Sequence, residues 1–114
     1  MEKYMKITLK KRGVSCIARL LEKEAPKTCE AVWNSLPHRG PVYHAKYARN
    51  EIYTMVPRFI KEKIGPENTT ITPIPGDVCF FDFDSGVLDQ HYKEKIGIDH
   101  LPGVIDLAVV YGRN

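Results

Sequence analysis

Apolar and polar side chains alternate from the start of the chain. Met5, Ile7 and Leu9 fall on one side, and Lys6, Thr8 and Lys10 on the other. That period of two predicts a half-buried strand. Lys11-Arg12-Gly13 reads as a tight turn, and residues 14–22 as a second strand. Cys16, Ala18 and Leu20 lie on one of its sides, with Ser15, Ile17, Arg19 and Leu21 on the other. The two strands are expected to pair as an antiparallel hairpin. The period then changes. Between Ala25 and Pro37, the residues Cys29, Val32, Trp33 and Leu36 recur at i, i+3, i+4 and i+7, one apolar stripe of a helix. Pro26 suits the first turn, where its missing N–H is not needed, and Pro37 ends the helix. Trp33 sits mid-stripe, so the helix is expected to lie as a plug against a sheet.

Past the break at His38-Arg39-Gly40-Pro41, the pattern returns to strands at 42–46 and 51–56, joined by a turn over Tyr47-Ala48-Arg49-Asn50. Residues 58–68 read as a helical turn or loop, and 69–74 as an extended edge. Pro75-Gly76-Asp77 is a turn. Residues 78–83 are the most apolar stretch and are expected to form the central strand. Residues 84–103 read as an excursion from the sheet, and 104–111 as a last strand with Ile105, Leu107, Val109 and Tyr111 on one face. A single amphipathic helix cannot cover both faces of an open sheet of about seven or eight strands. Closing the sheet removes its edges and leaves the helix to cap one end. The expected fold is therefore mainly β, a closed barrel capped by one short α-helix, in a single domain over residues 1–114.

Composition narrows the function classes. The formal net charge is +3 and the lysines are scattered, whereas a nucleic-acid binder shows a clustered basic face. The densest basic run, Lys6 with Lys10-Lys11-Arg12, falls on a strand and its turn. Cys16, Cys29 and Cys79 lie far apart without a Cys-x-x-Cys spacing, so neither a disulfide framework nor a zinc site is expected. Each reads as a small buried hydrophobe. No apolar run is long enough to span a bilayer, and the first residues carry no apolar signal core. A cytoplasmic protein without membrane or nucleic-acid partners is expected. No Gly-x-Gly-x-x-Gly, phosphate loop or nucleophile elbow is present, so no cofactor is implied.

Ala25-Pro26-Lys27-Thr28, opening the first helix directly after a hairpin, resembles the start of the first helix in cyclophilins. Pro75-Gly76-Asp77-Val78, leading into an apolar strand, is similar to a turn in a minimal group of bacterial and archaeal cyclophilin-like proteins of unknown function. In that group a stretch like Tyr43-His44-Ala45-Lys46-Tyr47 leads to a small-residue turn and a glutamate, here Glu51. The resemblance implies a cyclophilin-like barrel. Cyclophilins that isomerise prolyl bonds carry an arginine straight after a Phe-His pair. Here Ala45 follows Tyr43-His44, and the glutamine- and glycine-rich stretch that follows is missing. Arg49 or Arg58 would have to supply the cation from another backbone position.

The leading candidate site is His44, Arg49, Glu51 and Tyr53. Alternation puts Glu51 and Tyr53 on one face, and the register of the preceding strand decides whether His44 joins them or lies behind. Such a set binds a small acid or amide, with His44 or Glu51 as a general base. The plain alternative is a surface ion pair beside a satisfied histidine. Asp82, Asp84, Asp89 and His91 form a second cluster, and Asp99-His100 a third. Neither has a defensible ligand spacing, so no metal is expected. Tyr43, Tyr47, Tyr53 and Tyr111 on strands line either a cup or an oligomer interface, most simply a homodimer. Three readings follow: a binding module for a small organic molecule or short peptide; an enzyme of the same fold, either a prolyl isomerase with a displaced arginine or an amide-processing enzyme with a larger partner; and a structural oligomer without pocket chemistry.

Overall fold

The computed structural model describes residues 2–46, 50–84 and 103–112. Within them the chain is mainly β with one short helix, in the order β1 (Tyr4–Leu9), β2 (Val14–Arg19), α1 (Pro26–Ser35), β3 (Tyr43–His44), β4 (Glu51–Pro57), β5 (Val78–Asp84) and β6 (Gly103–Val110). The hairpin forms as the alternation requires. β1 and β2 pair antiparallel with Met5 opposite Ala18 and Ile7 opposite Cys16. A 3-10 turn over Lys10–Arg12 joins them. Gly13 closes it at φ 65°, a left-handed conformation that glycine adopts without steric cost, and donates its N–H to Lys10 O at 3.2 Å.

The remaining strands form one antiparallel sheet in the order β3-β4-β6-β5. The expected ring does not close among the described residues, where the hairpin and this sheet are two separate sheets. The central position also differs from expectation. β6 lies between β4 and β5, and β5 is at the edge. β6 takes the interior place, with Val104, Ala108 and Val110 on one face, interrupted by Asp106, and Ile105, Leu107 and Val109 on the other. Val104, Ile105 and Val110 are fully buried. β5 ends in two aspartates, Asp82 and Asp84, and lies at the edge. Residues 69–74, expected as an extended edge, form bends rather than a strand.

Pro57 is tolerated in β4 for a geometric reason. Arg58 N–H bonds to Gly103 O, and Tyr111 N–H bonds to Asn50 O, so even-numbered residues of β4 direct their backbone groups to β6. Odd-numbered ones face β3, as Ala45 N–H to Glu51 O shows. β3 spans only Tyr43 and His44, opposite Tyr53 and Ile52. Pro57 therefore has no strand beside it on the side where its N–H is missing.

Helix α1 follows the predicted stripe only in part. Val32 is buried, but Trp33 is 39% exposed, with Lys3 Nζ 5.4 Å from its ring centroid. The tryptophan is thus a shoulder covered by a cation rather than the centre of a plug. Ala25 supplies no side-chain cap. The cap comes from Glu67, whose carboxylate accepts the N–H of Lys27 at 3.2 Å and the N–H and hydroxyl of Thr28 at 2.8 and 2.9 Å. An anion there satisfies free N–H groups and meets the positive end of the helix dipole. Among the cysteines, Cys16 is exposed rather than buried, and Cys29 and Cys79 are half-buried.

Candidate functional site

Paired residues of neighbouring strands project to the same face of a sheet, so the registers assign every side chain. One face, called A here, carries four rows. Glu51 and Val110 form the first. Tyr43, Tyr53, Ala108 and Cys79 form the second, Met55, Asp106 and Phe81 the third, and Pro57, Val104 and Phe83 the fourth. The opposite face, B, carries His44, Ile52, Val109 and Val78, then Thr54, Leu107 and Phe80, then Val56, Ile105 and Asp82.

Of the four predicted site residues, the sheet brings together Glu51 and Tyr53, both half-buried on face A. The pairing of His44 with Ile52 puts the histidine on face B. Tyr43 takes the place beside Tyr53 instead, with ring centroids 5.7 Å apart. Arg49 lies outside the described residues, as do Tyr47, Asp89, His91, Asp99 and His100.

Face A holds the one group the sequence reading overlooked. Asp106 stands in the middle of the most buried strand, and its Oδ1 is buried with no hydrogen-bond partner. Burial, and next the charge of Glu51, push its carboxyl up to about 7. A solvated aspartate ionises near 4, so at neutral pH this one is divided between acid and carboxylate. Cys79, in the adjacent row, is raised as well, by burial first and then by Glu51, Asp77 and Asp106. The carboxylates of face A thus share one electrostatic field. The signal was present in the sequence: a lone aspartate inside Gly-Val-Ile-Asp-Leu-Ala-Val-Val, where every neighbour is apolar. Among the described residues no group of three or more His, Cys, Asp or Glu side chains is arranged to hold a metal ion.

Face B has settled its polar groups. Arg58 donates from Nε to Asp82 Oδ1 at 2.7 Å and from Nη2 to Oδ2 at 3.0 Å, and from Nη1 to Ile60 O at 3.1 Å. This bidentate pair holds Asp82 in the structure. Phe80 meets Phe59 edge-on at 6.1 Å, and Phe59 stacks on His38 at 5.0 Å. At the end of the same face, His44 Nδ1 lies 3.0 Å from Ala45 O, a pure acceptor, so it carries the proton. His44 Nε2 lies 2.6 Å from the Tyr111 hydroxyl.

One contact imitates a nucleophile and its base. Ser35 Oγ lies 2.7 Å from His38 Nε2. The same Oγ donates to Val32 O at 2.7 Å, and Ser35 ends α1. Carbonyl oxygens and the negative end of the helix dipole surround that position. An oxyanion would be repelled there, so the pair is a helix-end anchor. Burial holds His38 below its ordinary value, in keeping with a neutral ring against Phe59. A surface cleft of about 340 Å³ lies elsewhere, at the open end of the hairpin, lined by Glu2 and residues 19–24. Of its charges, Glu22 pairs with Lys3 and Arg19 with Glu2.

Among the described residues the molecule is therefore mainly β, with one settled face and one face carrying an acid whose Oδ1 has no partner. A family model described as a protein of unknown function (DUF3830) matches residues 7–114, and the chain belongs to that family. No curated protein matches it. Among the described residues no helix is long and apolar enough to cross a membrane.

Proposed function

We propose that the chain is a binding module that takes a small organic molecule or a short peptide on face A, between the Tyr43–Tyr53 pair and the carboxyls of Glu51 and Asp106. The unpartnered Oδ1 of Asp106 is the observation that carries this reading. Leaving a buried acceptor unsatisfied costs about 1–3 kcal/mol, and a ligand N–H returns that energy on binding. Glu51 supplies a second acceptor, and the tyrosines supply apolar area with hydroxyls, so an amide- or amine-bearing ligand fits best. The cyclophilin-like resemblance belongs to this proposal, supported by the order of hairpin, proline-initiated helix and antiparallel sheet.

Native mass spectrometry of freshly purified protein tests it. The expected result is a mass above the polypeptide multiple, retained in the wild type and lost in Glu51→Ala and Asp106→Asn. A ligand held equally by both variants, or a clean unliganded protein, counts against face A. A second reading, acid–base catalysis on an amide, is favoured by the position of Asp106 near neutrality, where a group both gives and takes protons. A turnover that Asp106→Asn abolishes while ligand mass is retained separates the second reading from the first.

A further inference from the structure

Sheet edges are protected from pairing with other chains by shortness, charge or proline. β3 is protected by its two-residue length, β1 by Lys6, and β5 by Asp82. β2 has no such protection from Val14 to Ala18, which read Val-Ser-Cys-Ile-Ala. Ile17 is 64% exposed and Val14 52%, and Cys16 is exposed too. Among the described residues no strand pairs with the outer edge of β2.

The direction of that edge follows from one hydrogen bond. Leu20 N–H donates to Lys3 O at 2.9 Å, in register with the hairpin. By the alternation of antiparallel pairing, Ala18, Cys16 and Val14 also turn their backbone groups to β1. Ser15, Ile17 and Arg19 turn theirs outward. We infer that β2 pairs antiparallel with β2 of a second copy of this chain, making a continuous four-stranded sheet β1-β2-β2-β1 about a two-fold axis.

Three observations select this occupant. Only odd-numbered residues offer outward groups, so a symmetric pairing centres on a residue: about Ile17 it joins Ser15, Ile17 and Arg19 to the same set in the other copy, and about Cys16 it joins Ser15 to Ile17. Within Val14–Ala18 no charge meets a like charge. At the ends, the basic turn Lys10–Arg12 of one copy approaches the exit of the other, where Glu22 and Glu24 lie, and symmetry repeats that contact. Parallel pairing would instead set the two basic turns side by side. An isolated two-stranded ribbon is marginal in water and gains from two more strands. The same patch on both copies gives a closed dimer. This inference is independent of the ligand reading, since it uses no residue of face A.

Analytical ultracentrifugation of the full chain over a concentration series tests it. The expected result is a reversible dimer at micromolar concentration in the wild type. Ile17→Lys, which puts a charge on an already exposed position, yields a monomer with unchanged circular dichroism. Ile17→Pro removes an outward N–H without touching the bonds to β1 and gives the same monomer; if Ile17→Lys fails to fold, Ser15→Lys replaces it. A wild-type monomer, open-ended association, or a dimer that persists in the folded variants overturns the inference.

Discussion

The two faces of the four-stranded sheet treat the same chemical group in opposite ways. Asp82 on face B is gripped by the fork of Arg58, with side chains only 17% and 13% exposed. Asp106 on face A has no cation beside it among the described residues, and the charge that acts on it is another carboxylate, Glu51. A paired acid serves the fold; an unpaired one is poised near neutrality and held at a cost to it. Function is to be sought on the face whose polar groups the fold has left unanswered.

Removing the pair on face B should have the largest effect. Arg58→Ala strands Asp82 in a half-buried place and is expected to cost about 3 kcal/mol in urea unfolding at pH 7. Adding Asp82→Ala to it should recover part of that loss. A cost below experimental error for Arg58→Ala would erase the contrast between the faces. Asp106→Asn should act in the other direction. Burial pushes the folded carboxyl up to about 7, against about 3.9 for a solvated aspartate. Between those values the folded state holds the extra proton, so wild-type stability falls as pH rises from 4 to 7 and stays low above. The full shift corresponds to about 4 kcal/mol, and partial exposure of Asp106 reduces it to about 1–2 kcal/mol. Asp106→Asn should therefore melt higher than wild type at pH 8 and equally at pH 4. Identical pH profiles for the two would remove the poised acid from face A.

Glu67→Ala sharpens the comparison locally. It frees the segment that runs from Arg58 on face B to the helix, and amide exchange at Lys27 and Thr28 should rise while the β6 amides stay protected. Burial alone would raise the Glu67 carboxyl. The N–H and hydroxyl of Thr28, the N–H of Lys27 and the lysine charge together hold it below its ordinary value. The wild-type cap thus persists through mild acid and is lost only as pH falls through that lowered value.

Much of the fold was legible because periodicity reports burial directly. The hairpin, α1 and the positions of β4, β5 and β6 follow from alternation and from Pro26, Pro37 and Pro75-Gly76. What periodicity does not carry is the neighbour. Phe80, Phe81 and Phe83 made residues 78–83 look central, but the interior place goes to β6, whose Val104, Ile105, Ala108 and Val110 are buried. Trp33 lay in the right stripe, yet Lys3 covers it from outside. Half of the candidate site was readable, since Glu51 and Tyr53 share a face by parity alone. His44 depended on a register, and register is long-range information. Asp106 was visible as an anomaly in an apolar strand, whereas the Arg58–Asp82 pair joins positions 24 residues apart that no local pattern links.

The distant cap on α1 also sets a timetable for the chain as it is made. The helix has ten residues and no side-chain cap of its own, too little to hold its shape in water. Its cap at Glu67 is 39 residues further along the chain from Thr28. At translation rates of about 5–20 residues per second, that gap is roughly 2–8 s. For that interval the Pro26–Ser35 segment leaves the ribosome as a frayed stretch, with Val32 and Trp33 open to chaperones, and it becomes a helix only when Glu67 arrives.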